Sequence, residues 1–280
     1  GEQVSMIWPR LLKYNIEIYF AFTSFGWKNS AKDNAGVSVI IIGIRNINSE
    51  DKFIHLENGH SKHVKNINGY ISEGPNIFIS KKSKPLSFLP IMSYGNQPIE
   101  SGYLRFNEEK RKNIIENNIG IEKYIRKVIG SQEFLRDINR YCFWIEDEDL
   151  EHALRFPEIK SRISKVREYR INGGQVAKSL VSKSHQFRYR HIPKNNQIII
   201  PCTSSENRNY IPCGFFDNSF ISLNSIQVIF DAEPWIFSIL SSRIHVIWVK
   251  SIAGRLDNRI RYSCVVCWNN FPFPKISENS

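Results

Sequence analysis

Apolar and polar positions follow two different periods along this chain. Residues 3–14 (QVSMIWPRLLKY) place apolar side chains at helical spacing, with Pro9 bending or ending the first turns. Ile16 to Phe22 alternates as a strand does. Trp27 to Asn34 is a polar loop. Ala35 to Ile44 (AGVSVIIIGI) then reads as a second strand, apolar on both sides as in the middle of a covered sheet. From Asn46 to about Gly102 the composition shifts to Asn, Ser, Lys and Gly, with short apolar pieces at Phe53–Leu56 and Ile77–Ile79. That stretch predicts a connector with small strands.

Further on, Ile114, Ile115, Ile121, Ile125 and Val128 are spaced for a helix across residues 107–128, with Glu108 to Lys112 as its solvated face. Arg140 to Ile145 is an aromatic-rich β candidate. Residues 157–182 read as two helices broken at Asn172-Gly173-Gly174. Phe187 to Phe230 reads as mainly β, with strands at 197–200, 210–215, 219–222 and 226–230. Pro234 starts a helix over 234–248. Residues 260–274 read as a strand followed by proline-rich coil, and there is no internal repeat.

A chain of 280 residues with 41% apolar content can bury a core as one large domain or two modest ones. Its net charge of +11 changes the picture, because it points to a polyanionic partner: nucleic acid first, an anionic membrane surface second. A merely solvated basic surface is the plain alternative. No apolar run approaches the ~20 residues that span a bilayer. Gly1-Glu2-Gln3 opens into helix without a signal peptide, and a start other than Met suggests an excised fragment. Five cysteines, an odd number, argue for a reducing, cytoplasmic setting. Cys264-Val-Val-Cys267 is a lone CxxC in a strand-like stretch and reads as packed thiols rather than a zinc site, so no metal is expected.

Catalytic patterns are missing. The sequence has no Ser/His/Asp signature, no HExxH and no GKS/T. It also lacks an Asn-Pro-Pro-Tyr/Phe tetrapeptide and a Gly-rich turn after a strand. No catalytic or cofactor-binding residue is expected in this chain. Binding patterns are present. Between Arg155 and Arg190 lie ten Lys or Arg residues and two acids, Glu158 and Glu168, with aromatic residues interleaved. Arg162, Lys165, Arg167 and Arg170 fall on overlapping helical faces suited to a phosphate backbone, followed by Lys178, Lys183 and Arg188. The break at Asn172 would present that residue and the next helix's N-terminus to a groove or phosphate.

A sharper pattern is Glu206-Asn207-Arg208. In an extended segment Glu206 and Arg208 share a side. Arg can grip the O6/N7 edge of guanine and a carboxylate can accept from the cytosine amino group, so the two could read one G·C pair. A structural ion pair at a turn is the alternative. Arg255, Arg259 and Arg261 are phosphate candidates, with Tyr262 and Ser263 adding neutral hydrogen bonds.

The least periodic strings lie between Ser204 and Pro274: SSENRNYIPCGF, then PWIFSILSSRIHVIWVKSIAGRLDNRIRYS, then NNFPFP. They resemble the target-recognition region of MmeI-type adenine-specific DNA methyltransferases, bacterial single-chain restriction-modification enzymes. The string FAFTSFGWKNSAKDNAGVSVIIIGI also resembles that family, as do Pro90 to Pro98 with Gly102-Tyr103-Leu104, and Gly130 to Phe134 with Arg140 to Ile145. Ser242-Arg243-Ile244-His245 and Gly254-Arg255-Leu256 look like family signatures, Arg243 and His245 orienting the β-rich part.

The resemblance implies a mixed α/β and α+β fold: the last strands of a class I methyltransferase sheet, then a mixed α/β target-recognition domain. Its boundaries would be 1–47 for the methyltransferase piece, 48–102 for a connector, 103–274 for recognition and 275–280 for a tail. It implies double-stranded DNA as partner, no membrane, and upstream methyltransferase (often also nuclease) domains of the same parent. S-adenosylmethionine would be bound by the parent and not by this chain. In the family an acidic-x-basic pair like Glu206/Arg208 is associated with base choice. An aromatic ring beside the catalytic pocket, Trp27 or Phe25 here, would stack on an extruded base. A stand-alone DNA specificity subunit and an RNA-binding or RNA-modifying protein are the rival readings.

Overall fold

The computed structural model describes residues 1–27, 38–256 and 259–274. Residues 28–34, expected as loop, residues 35–37, expected to begin a strand, residues 257–258 and the expected tail 275–280 lie outside the described residues. The chain opens with helix α1 (Glu2–Leu11) and strands β1 (Ile16–Gly26), β2 (Ser38–Asn46), β3 (Lys52–His55) and β4 (Ser61–Val64). Strands β5 (Ser93–Tyr94) and β6 (Arg105–Asn107), helix α2 (Glu108–Glu116), strand β7 (Ile125–Ile129), helix α3 (Ser131–Arg136) and strand β8 (Arg140–Phe143) follow. Helices α4 (Leu150–Ala153), α5 (Pro157–Ile171) and α6 (Gln175–Lys178) precede strands β9 (Asn196–Pro201), β10 (Thr203–Ser205), β11 (Gly214–Asp217), β12 (Phe220–Ser222) and β13 (Ile226–Phe230). Helices α7 (Pro234–Leu240) and α8 (Arg243–Ile252) and strands β14 (Gly254–Leu256) and β15 (Arg259–Arg261) close the order. Two compact units result, neither contiguous in sequence. One comprises Gly1–Ile91, Thr203–Ile211 and the chain from Ser242 onward; the other comprises Met92–Cys202 and Pro212–Ser241.

In the first unit, β2-β1-β3-β4 form a sheet in which β1 runs antiparallel to β2 and parallel to β3. Its buried side chains, Ile18, Ala21, Ile54 and Val64, form a core with Trp8 of α1 and Ile67, and Val4, Leu11 and Leu12 from α1 and its extension pack against it. Gly43 has a packing reason: a Cβ there would sit 2.2 Å from the Phe20 ring on the paired strand. Glu17 is buried yet charged, bound by Arg45 at 2.9 Å and Lys52 at 2.5 Å. Burial opposes ionisation, but the bonds from Lys52, Arg45 and the Asn48 amide outweigh it and hold the carboxyl below its ordinary range.

The expected covered position of β2 is not found. It is an edge strand paired with β1 alone, and Ile40, Ile41 and Ile44 are 50%, 43% and 51% exposed. Covering a strand on both sides takes a layer on each face, and the described residues supply none over these isoleucines.

The same unit holds the antiparallel sheet β10-β15-β14 beside α8. Ser242 caps α8 by accepting from the His245 amide at 3.2 Å, which is why the helix expected over 234–248 is two helices. His245, Val246, Val249 and Ile252 form its buried stripe. Cys264–Trp268 is a turn of π-helix rather than strand, closed by Asn269 N–H to the Cys264 carbonyl at 2.8 Å. Trp248 Nε1 donates to the Cys267 carbonyl and Trp268 Nε1 to the Pro90 carbonyl, both at 2.8 Å. These indole bonds give the non-strand backbone its partners. Cys264 and Cys267 are buried, and burial pushes the Cys267 thiol up to about 12.

In the second unit β11-β9-β13-β5 and β12-β7-β8-β6 form two four-stranded sheets. The apolar runs of β9 and β13 pair in antiparallel register and are buried almost throughout. The helix expected across 107–128 stops at Glu116. Gly120 then turns the chain with φ +85°, and Ile125–Ile129 becomes the strand between β12 and β8. The β-branched run fits a pleated surface better than a helix. Pro157 opens α5, which ends at Asn172 before the Gly173-Gly174 break, as expected. Among the described residues no helix is long and apolar enough to cross a membrane, and no cluster of three or more His, Cys, Asp or Glu could hold a metal.

Candidate nucleic-acid interface

Helix α5 buries Ile159, Val166 and Arg170, so its inner stripe runs through positions 159, 163, 166 and 170. That stripe decides which of its cations face solvent. Arg170 does not: it is fully buried. Its guanidinium donates to the carbonyls of Pro98, Ile99, Leu180, Lys183 and Gln186 at 2.6–3.3 Å. The phosphate role expected for Arg170 is thereby corrected. Five carbonyl dipoles hold the charge inside, and no path leads to an external anion.

Arg162 also turns inward. It bonds Glu158 at 2.8 Å and the Tyr103 carbonyl at 2.7 Å, with its guanidinium 5.2 Å above the Phe106 ring. Only 15% of its side chain is exposed. Lys165 and Arg167 are exposed and carry no ion pair among the described residues. Two positions apart means about 200° around the axis, so they leave on opposite flanks rather than the shared face expected.

At the C-terminal end of α5, Asn172 is exposed in helical conformation. Gly173 lies so close to α6 that a Cβ would fall 2.7 Å from the Ala177 methyl. Ile171 and Val176 flank this tip with 44% and 45% exposure, a feature that sequence periodicity did not single out. Helix α6 is one turn long, too short for a substantial dipole at its N-terminus. Lys178 is exposed. Lys183 bonds Asp147 at 2.6 Å, and buried His185 contacts the same carboxylate at 2.9 Å. Arg188 donates to Gln97 at 3.0 Å and stays exposed over the Tyr189 ring. A nearby cleft is lined by Arg105, Lys110, Arg140 and Arg162, but Glu100, Glu158 and Glu133 pair with all four.

The acidic-x-basic pair lies in the first unit, just after β10. Glu206 and Asn207 form a turn, and the Arg208 amide bonds back to the Ser205 carbonyl at 3.4 Å. The segment is therefore not extended, and the two-residue argument for a shared side lapses. Glu206 instead faces Arg255 of β14 at 3.6 Å, while Arg208 is exposed with no ion pair among the described residues. In register, Arg259 opposes Ser205 and Arg261 opposes Thr203, so both arginines share the exposed face of this small sheet. Ser204 and Ile260 face the buried side.

Tyr262 is also buried. Its hydroxyl meets His245 Nε2 at 3.1 Å, which removes it from the expected external contacts. His245 is internal and Arg243 exposed, so of the two only His245 is placed to orient its surroundings. Ser263 is half-buried. Trp27 follows the end of β1 with 50% of its surface exposed, and Phe25 is half-buried. Apart from Arg162 and Arg170, the second unit offers exposed cations and the Asn172 tip; the first offers, separately, exposed arginines, the Glu206 turn and the Trp27 indole. Such groups suit hydrogen bonding to base edges and phosphates.

Comparison with known proteins covers nearly the whole chain. Residues 73–275 match the family model for the MmeI target recognition domain, and residues 1–55 match that for the MmeI DNA-methyltransferase domain. The chain is similar to DNA methyltransferase A of Bacillus subtilis (strain 168), with 39% identity over 279 residues, 99% of this chain and 32% of that protein. It is also similar to a solved structure of the Type IIL restriction-modification enzyme MmeI in complex with DNA. The TM-score is 0.93 at 37% identity, over 100% of this chain and 38% of that one. The chain thus spans about a third of the length of the relatives it matches. The mixed α/β class expected from sequence is the class found.

Proposed function

Since the chain belongs to the MmeI family, we propose that it selects a short duplex DNA sequence for a site-specific adenine-N6 methyltransferase of which it is a part. The observation that carries this reading is the target-recognition match over residues 73–275, on a fold whose solved relative was captured in complex with DNA. Lys165, Arg167, Lys178, Arg188 and Arg261 reach solvent and would neutralise phosphates, fixing the register of the chain on the duplex. Arg208, Glu206 and Asn172 would meet base edges. Trp27 would stack on the extruded adenine.

The methyl donor, S-adenosylmethionine, is assigned to other domains of a longer parent chain. Residues 1–55 contain no glycine-rich turn, and the buried carboxylate of Glu17 is committed to Arg45 and Lys52. No step of the reaction is therefore routed through this chain's residues. The protein would work in the cytoplasm, where bacterial DNA lies.

Single substitutions in the intact protein test the division of labour. Arg208→Ala should cost ~1–3 kcal/mol at one base position and relax choice there. Lys165→Ala should weaken all duplexes evenly and lower the slope of log affinity against log salt by about 1. Titrating labelled duplexes that differ at one base pair separates the two, and unchanged site preference in the Arg208 variant would remove that assignment.

A further inference from the structure

We propose that Arg255 is a positioning residue for base choice: it presents the Glu206 carboxylate, and it is not a phosphate contact. The inference rests on the reading of Glu206 given above. Three elements of the first unit meet here, namely the turn after β10, strand β14 and the last turn of α8. Arg255 Nη2 donates to the Lys250 carbonyl at the end of α8 at 3.0 Å, and its Nε lies 3.6 Å from Glu206 Oε2. The guanidinium is thus anchored on one side by a helix terminus and offers its remaining edge to the carboxylate. Glu206 sits in a turn with 38% of its side chain exposed, and Arg255 is its ion-pair partner among the described residues.

Two physical consequences follow. A carboxylate on a turn must be ordered before it can discriminate between bases, and ordering a long side chain costs entropy. A partner already fixed on Lys250 lowers that cost in the free protein. The contact also uses one carboxylate oxygen, Oε2, which leaves Oε1 to accept from a cytosine amino group. Further, a bare carboxylate is repelled by the negative potential of a duplex, whereas one paired with a guanidinium enters it nearly neutral. Arg208 meanwhile stays exposed and able to reach a guanine edge. The reading unit is then a triad of Glu206, Arg255 and Arg208, rather than the adjacent acid and base alone.

The test uses the intact methyltransferase and a panel of duplexes carrying each base pair at each position of its site. Binding is measured from 50 to 200 mM salt for E206Q, R255M and R255K. The expected result is that R255M loses at least fivefold of the preference at the same position that E206Q relaxes, with the salt slope unchanged. R255K, which keeps the charge, should retain most of that preference. Uniform weakening by R255M with a slope smaller by about 1 would identify a phosphate contact and overturn the proposal. Equal relaxation in R255K and R255M would overturn the role given to the charge. No change in E206Q at any position would instead sink the underlying reading of Glu206, so the two failures are distinguishable.

Discussion

Replacing His245 with Phe should flatten the acid sensitivity of the first unit. His245 is fully buried on α8, packed edge-on against Trp268 and Phe271 with ring centroids 6.0 and 5.0 Å away. Its Nε2 meets the Tyr262 hydroxyl, and its Nδ1 has no partner among the described residues. Burial among these rings depresses its pKa from 6.5 to about 4. The folded chain therefore keeps the imidazole neutral while the unfolded chain takes up a proton below pH 6.5. The sign follows from linkage: stability is complete above pH 6.5 and is lost as pH falls toward about 4.

The full gap is worth about 3 kcal/mol, of which about 2 kcal/mol falls between pH 7.5 and pH 5. Phenylalanine keeps the ring but not the titration. The variant should lose about 2 kcal/mol less than wild type over that interval, whatever the other carboxylates and histidines contribute to both. Urea unfolding at the two pH values, followed through tryptophan fluorescence, measures the difference. Parallel losses in the two proteins, within about 0.5 kcal/mol, would refute the reasoning.

Two further outcomes follow from the second unit. Arg170→Met should cost about 3 kcal/mol or more in urea unfolding, because five buried carbonyls lose their donor at once. A loss under 1 kcal/mol would mean that the clamp is dispensable. Gly173→Ala should destabilise by about 1 kcal/mol, since the new methyl lands 2.7 Å from Ala177 and its overpacking outweighs the smaller gain from a stiffer unfolded chain. A more stable variant would show that the helix pair opens freely.

Much of this fold was legible residue by residue. The runs at 197–200 and 226–230 appear as β9 and β13, and Asn172-Gly173-Gly174 ends α5 where expected. What failed has a common cause in tertiary context. Ile125 and Val128 had positions compatible with a helix, yet a neighbouring strand on each side and the turn at Gly120 drew them into a sheet. Cys264-Val-Val-Cys267 has strand-like composition, but the half-buried Trp248 indole and the buried Asn270 amide bond its backbone in a π-helical turn.

The site divides in the same way. Net charge and the strings around Glu206 pointed to duplex recognition, because composition and residue identity carry that information. Which cation faces out was not read, because by residue type and charge Arg170 and Lys165 look alike. The Glu206–Arg255 contact joins positions 49 residues apart, beyond any local spacing rule. A signal did exist for the inward turn of Arg170: it falls at the helical spacing of Ile159, Ile163 and Val166.

The central claim is that this chain chooses the DNA sequence at which a methyltransferase acts. Single-molecule sequencing of chromosomal DNA from a host expressing the intact protein, beside one expressing its Arg208→Ala variant, tests it most directly. The account predicts N6-methyladenine at one short motif, with one position of that motif relaxed in the variant. Modification scattered without a motif, or the absence of any methylated adenine in both hosts, would contradict it.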